Sequence, residues 1–78
     1  MKDFVKPLID FLKSNLFGDF EDNILVFTNA NETLTVKVAD LAGSIIVKLS
    51  YEDNGDFYTI KSQEDIDDII ARINEYID

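Results

Sequence analysis

Five isoleucines near the C-terminus constrain the fold of this chain more than any other feature. Ile66, Ile69, Ile70, Ile73 and Ile77 recur at helical spacing and fall within an arc of roughly 100° on an α-helix. Isoleucine favours strands intrinsically, but this spacing cannot form one face of a strand, so the periodicity predicts a helix. Such a helix has to bury its apolar stripe against another element.

A first helix is predicted at the other end of the chain. Apolar residues recur at helical spacing between Asp3 and Phe17. Pro7 fits only the first turn of this helix, where few backbone N–H groups have a helical partner. Gly18 suits the left-handed residue that follows the end of a helix.

Four strands are predicted between the two helices, because β-branched and aromatic residues are frequent there and alternate with polar ones. They cover residues 24–28, 33–38, 45–51 and 57–61. Asn54 and Gly55 predict the tight turn of the last hairpin, since both residues tolerate positive φ. Short connections favour an antiparallel meander. We therefore predict one α+β domain over residues 1–78, ordered α-β-β-β-β-α, with a four-stranded antiparallel sheet and both helices packed on one face.

The residue inventory excludes most kinds of catalytic site. The chain has no cysteine and no histidine, which excludes a disulfide framework, a thiolate nucleophile, a Ser-His-Asp triad and the usual zinc site. Its glycines are isolated, so no phosphate-binding loop is present. We predict no enzymatic activity, no catalytic residue, no bound metal and no cofactor.

No apolar run is long enough to span a bilayer or to act as a leader, so we expect a cytoplasmic protein.

Negative charge is the strongest functional signal in the sequence. Sixteen acidic residues against seven basic ones give a net charge of −9, which disfavours direct binding to nucleic acid or to an anionic membrane. Rows of carboxylates can imitate a phosphate backbone and occupy the basic groove of a nucleic-acid-binding protein. The competing interpretation is a solvated face that keeps a small protein soluble. The predicted partner-binding residues are Glu64, Asp65, Asp67, Asp68 and Glu75 on the last helix and Glu52, Asp53 and Asp56 in the last hairpin.

The outward face of the sheet is a second candidate surface. Alternation directs Lys37, Lys48 and Phe57 away from the predicted core. Strand 24–28 is apolar on both faces and, as the first strand of a meander, is predicted to lie at an edge with nothing to discourage strand addition. These features favour a homodimer or a docked partner strand. In the alternative, the end of the first helix and the loop after it fold over this strand and cover it.

In size, acidity, lack of catalytic residues and helix–sheet–helix layout, the chain resembles the small inhibitor proteins of bacteriophages, such as anti-CRISPR and anti-restriction proteins. Several proteins of that group mimic DNA with surface carboxylates. The resemblance implies a non-enzymatic inhibitor or regulator of a bacterial protein with a basic surface, such as the nucleic-acid-binding groove of a defence nuclease. The alternative function is a small homodimeric interaction module that uses the first strand and the open sheet face without mimicry.

Overall fold

The chain forms two α-helices and a five-stranded sheet, seen in a computed structural model that describes residues 3–21 and 24–77. The strands lie in the order β1-β2-β3-β4-β5, and each is antiparallel to its neighbours. The predicted α+β class and antiparallel meander are confirmed, but the predicted number of four strands is wrong. The elements in chain order are a 3₁₀ turn at Asp3–Val5, α1 at Lys6–Asn15, β1 at Phe17–Glu21, β2 at Ile24–Thr28, β3 at Leu34–Leu41, β4 at Ser44–Tyr51, β5 at Asn54–Ile60 and α2 at Gln63–Ile77.

β1 is the strand that the sequence pattern does not reveal. The residue after α1, Leu16, is extended (φ −133°, ψ 165°), so the chain passes directly into β1 without a left-handed residue at Gly18. Gly18 pairs with Phe27 of β2, and a Cβ atom at Gly18 would lie only 2.9 Å from Cε1 of the Phe27 ring. The glycine is therefore needed for close approach of β1 to a buried side chain. Because β1 covers it, β2 is an internal strand, and its predicted edge position is wrong.

The last hairpin turns two residues earlier than its Asn-Gly pair predicts. Glu52 and Asp53 form the turn, and Asn54 and Gly55 lie within β5. Glu52 has a φ of 54°, a left-handed conformation that costs about 1 kcal/mol for a residue with a Cβ atom. Its N–H donates a hydrogen bond of 2.8 Å to the carbonyl oxygen of Thr33. This bond ties the turn to the neighbouring hairpin and helps to offset the strained φ.

One face of the sheet, called here the core face, supplies the hydrophobic core. Alternate residues of β3 and β4 have exposed fractions of 3% or less on this face; they are Leu34, Val36, Val38, Ile45, Val47 and Leu49. They form one cluster with buried residues of both helices, and the two helices contact each other. On α2, Ile66, Ile69 and Ile73 are buried, while Ile70 and Ile77 pack half-buried against the same cluster. The predicted isoleucine stripe is therefore confirmed as a core contact.

Candidate functional site

The acidic residues predicted to bind a partner form a surface along α2 and the β4–β5 hairpin. Because β5 runs from the turn of that hairpin to the start of α2, and α2 then runs back, the helix and the hairpin lie side by side. Seven of the eight predicted residues are exposed, and Asp65 is half-buried. The acidic surface consists of Glu52, Asp53, Asp56, Glu64, Asp65, Asp67, Asp68 and Glu75.

An aromatic stack joins the two parts of the acidic surface. The ring centroids of Tyr51, at the end of β4, and Tyr76, in the last turn of α2, lie 4.6 Å apart, and the ring planes differ by 17°. Such aromatic pairs contribute about 0.5–1.5 kcal/mol beyond the area that they bury. Because Tyr51 precedes Glu52 and Tyr76 follows Glu75, the stack brings those two carboxylates to the same end of the molecule.

A further acidic residue, which the sequence analysis did not single out, lies at this end. The hydrogen bond between Glu52 N–H and the Thr33 carbonyl oxygen places the β2–β3 turn beside the β4–β5 turn. Oδ1 of Asn29 accepts hydrogen bonds from the N–H groups of Thr33 (2.9 Å) and Leu34 (3.0 Å), which fixes the turn that presents Glu32. Alternate turns of a meander lie at the same end of the sheet. That rule, applied to the predicted strand order, would have found Glu32.

Asp65 has a structural role that separates it from the other acids. Its Oδ2 accepts hydrogen bonds from the backbone N–H groups of Lys61 (2.8 Å) and Ser62 (3.2 Å). A carboxylate at this position satisfies backbone donors at the start of α2 and complements the positive end of the helix dipole. Asp65 therefore stabilises the helix start whether or not a partner is bound.

A groove of about 610 Å³ lies between β5 and α2. Its β5 wall consists of Tyr58, Thr59 and Ile60. We call it the β5–α2 groove; it contains a positive residue, Arg72, which the sequence analysis did not assign to any site. The groove arises from the packing of a helix along a sheet edge, and no local pattern in the sequence marks it. Its α2 wall carries Asp65, Asp68, Ile69, Ala71, Arg72 and Glu75.

The face of the sheet opposite the core face, called here the open face, is the second candidate surface. Among the described side chains, three large hydrophobic residues are exposed: Phe17 (71%), Leu41 (58%) and Phe57 (70%). Strand pairing places all three on the open face. Lys37 pairs with Lys48 across β3 and β4, and Nζ of Lys48 lies 5.3 Å from the centroid of the Phe57 ring. The open face therefore combines apolar side chains with Lys37 and Lys48, and it also carries Asp19 of β1, which pairs with Val26 on that face.

The carboxylates of the acidic surface extend along the molecule instead of converging on one point. Within residues 3–21 and 24–77, no three His, Cys, Asp or Glu side chains are grouped so that they could hold a metal ion. Neither helix in this part of the chain combines the length and the apolar composition needed to cross a membrane.

No family model, no curated protein and no solved structure matches this chain. Its function has to be inferred from the acidic surface, the β5–α2 groove and the open face.

Proposed function

We propose that this chain is a non-enzymatic regulator that inhibits a bacterial protein by covering its basic, nucleic-acid-binding surface. The observation that supports this function is the stacking of Tyr51 on Tyr76, which joins the acids of α2 to those of the β4–β5 turn. In this proposal both helices cover the core face, and the outer side of α2 faces the partner. α2 has 15 residues and is therefore about 22 Å long. The acids of α2, from Glu64 to Glu75, extend over about 16 Å of that length, and the acidic surface continues onto the hairpin.

The spacing of the acids limits how much of a nucleic acid they can imitate. Along the helix axis, Glu64 and Asp68 are about 6 Å apart and Asp68 and Glu75 about 10.5 Å. Duplex DNA carries one charge per ~1.7 Å of axis when both strands are counted. The carboxylates of the acidic surface are more widely spaced than these phosphates. The chain would therefore replace only one stretch of the phosphate contacts in the partner's nucleic-acid-binding groove. The resemblance to phage inhibitors favours a cytoplasmic defence nuclease of a bacterium as the partner.

Neutralising three acids tests this function. Glu64→Gln, Asp68→Asn and Glu75→Gln together remove three exposed charges and leave the isoleucine stripe intact. Immobilised wild-type protein should recover a basic partner from bacterial lysate, and that purified partner should release labelled DNA when the wild-type protein is added. The triple variant should bind the partner about tenfold more weakly, because three charge pairs worth about 0.5 kcal/mol each are lost.

A control is Asp10→Asn, which removes one exposed carboxylate from α1, outside the acidic surface, together with its ion pair to Lys6. This variant should bind the partner as wild type does. Added salt should weaken the wild-type complex, since screening reduces the attraction between exposed charges. Two results would contradict the proposed function. One is full binding of the partner by the triple variant, and the other is a partner that keeps its DNA when the wild-type protein is added.

The open face favours a second candidate, a homodimeric interaction module without mimicry. Exposed apolar residues grouped on one face mark interaction sites, and here Phe17, Leu41 and Phe57 share the open face. A two-fold dimer through this face would bury these apolar side chains, and the face carries charges of both signs, Lys37 and Lys48 with Asp19. Such a dimer should therefore respond little to added salt, unlike the acidic complex. Sedimentation equilibrium at two salt concentrations measures this, and a monomer at both contradicts the homodimer.

A further inference from the structure

One wall of the β5–α2 groove is the edge of a strand. Tyr58, Thr59 and Ile60 follow one another in β5, and all three line the groove. Tyr58 and Ile60 lie on the core face with Val47 and Ile45, and Thr59 between them points to the open face, so a groove that all three line reaches the edge of β5. In the described part of the chain, β5 pairs with β4 alone. The groove therefore opens onto backbone N–H and C=O groups that have no strand partner.

β5 lacks the features that usually prevent another strand from adding to an edge. Such edges are typically short, bent, or protected by proline and lysine. β5 has seven residues, none of which is proline or lysine. The opposite edge, β1, has five residues, and Asp19 and Glu21 are two of them. Of the two edges, β5 is the longer and the less charged, and it lies beside a groove of about 610 Å³, whereas Gly18 and Asp19 of β1 line one of about 220 Å³.

The α2 wall of the groove gives it a negative charge. Asp65, Asp68, Glu75 and Arg72 line this wall. Its three negative charges and one positive charge give it a net charge of −2. Asp68 and Glu75 are exposed, whereas Asp65 already accepts two backbone hydrogen bonds. Ile69, only 3% exposed, contributes an apolar floor. An occupant of the groove is therefore favoured when it carries positive charge on long aliphatic stems.

We propose that the groove takes up an extended, basic segment of a partner protein, which adds to β5 as a sixth strand. The segment's backbone would form ladder hydrogen bonds with the edge of β5. Its lysine or arginine side chains on the α2 side would lie along Ile69 and reach Asp68 and Glu75. Apolar side chains on its other side would extend the open face next to Phe57. This inference rests on the proposed function, because it uses acids of the same surface.

A short synthetic peptide in which lysine and valine alternate, blocked at both ends, tests the proposal. When it is added to the isotope-labelled protein, NMR spectra should show shifts of the backbone amides of residues 57–60 and slower exchange of those amides with solvent. The same peptide N-methylated at every amide keeps its charge and side chains but donates no ladder hydrogen bonds. It should bind at least about tenfold more weakly, since several hydrogen bonds of ~1 kcal/mol are lost.

A matched pair of double variants tests whether the charge acts through the groove. Asp68→Asn with Glu75→Gln removes two carboxylates from the groove wall, and Glu64→Gln with Asp67→Asn removes two from the same helix outside the groove. The first pair should weaken peptide binding about threefold to tenfold, and the second less than about twofold. Equal weakening by both pairs would mean that the peptide responds to total charge, which overturns the groove as its site.

Other outcomes separate this proposal from the proposed function. If the N-methylated peptide binds as tightly as the unmodified one and shifts amides along α2, strand addition is overturned while the proposed function stands. If the amides of residues 57–60 shift with protein concentration alone, a second copy of the chain occupies the edge, and the proposal is also overturned. If a partner strand adds to β5 but the partner keeps its nucleic acid, strand addition is supported and the proposed function fails.

Discussion

The two faces of the sheet are built by the same strands but lie in opposite environments. On β3, Val36 and Val38 are fully buried, whereas Lys37 between them is exposed. The open face nevertheless carries exposed Phe17 and Phe57, while most of the exposed acids lie in turns and on α2. Alternation thus decides which residues are inside. The distribution of charge and apolar surface over the outside decides where a partner can bind.

The largest effect on stability is expected when aspartate is placed on the core face, and the same substitution at the adjacent position, on the open face, provides the comparison. Val36→Asp places a charge without a partner in the core and should cost more than about 4 kcal/mol, enough to unfold a small domain. Lys37→Asp places the same side chain on the open face, opposite Lys48, and should cost about 1 kcal/mol or less. Urea denaturation followed by circular dichroism measures both. A cooperative transition of Val36→Asp near the wild-type midpoint would contradict the assignment of the core face.

A second comparison measures how much two positions of the isoleucine stripe contribute to the free energy of unfolding. Ile73 is fully buried and Ile70 is half-buried. Ile73→Ala should lower the free energy of unfolding by about 2–5 kcal/mol, because it leaves a cavity as well as losing apolar contact. Ile70→Ala should cost less than half as much, since its site can fill with water. Equal losses in urea denaturation would show that the stripe is centred on a different residue.

The fold was predictable where one periodicity dominates a segment and unpredictable where pairing decides. α2, β3 and β4 each have a clear repeat, and β2 is a run rich in β-branched and aromatic residues. β1 contains two acids and a glycine in five residues, and its strand conformation depends on the close approach of Gly18 to Phe27. The Asn-Gly preference of the last hairpin was overridden by a register that places Glu52 and Asp53 in the turn and bonds Glu52 to Thr33.

The candidate site was predictable in its residues but not in its assembly. Acids in turns and opposite an apolar stripe were expected to be exposed, and seven of the eight are. The junction of the two acidic segments depends on the contact between Tyr51 and Tyr76, residues separated by a whole strand and a helix. The β5–α2 groove depends likewise on how α2 packs beside a strand edge. Contacts of this kind have no local signature in a single sequence.

The third prediction compares glycines in the two edge strands. Gly18→Ala would bring a Cβ atom within 2.9 Å of the buried Phe27 ring and should cost about 1–3 kcal/mol, because the ring cannot move without disturbing the core. Gly55→Ala would place Cβ 3.3 Å from Oγ of Ser50, which a rotation of that side chain relieves. Its effect should lie within about 1 kcal/mol of zero, since alanine also restricts the unfolded chain. Thermal denaturation of both variants checks this, and a larger loss at Gly55 would contradict the pairing of β5.

The smallest effect on stability, and the sharpest test of function, is expected on the open face. Phe17→Ser with Phe57→Ser removes two side chains that are 71% and 70% exposed. The loss of free energy of unfolding should be about 1 kcal/mol or less, including the exposed contact between Lys48 and the Phe57 ring. If the acidic surface binds the partner, this double variant should retain most of the partner and lose at most the contact that a strand added to β5 would make beside Phe57, whereas the Glu64→Gln, Asp68→Asn, Glu75→Gln variant should release it. Because neither variant changes the core, each serves as the folded control for the other in the same retention assay. The reverse result, in which the phenylalanine variant loses the partner and the acidic variant keeps it, would move the binding surface from α2 to the open face.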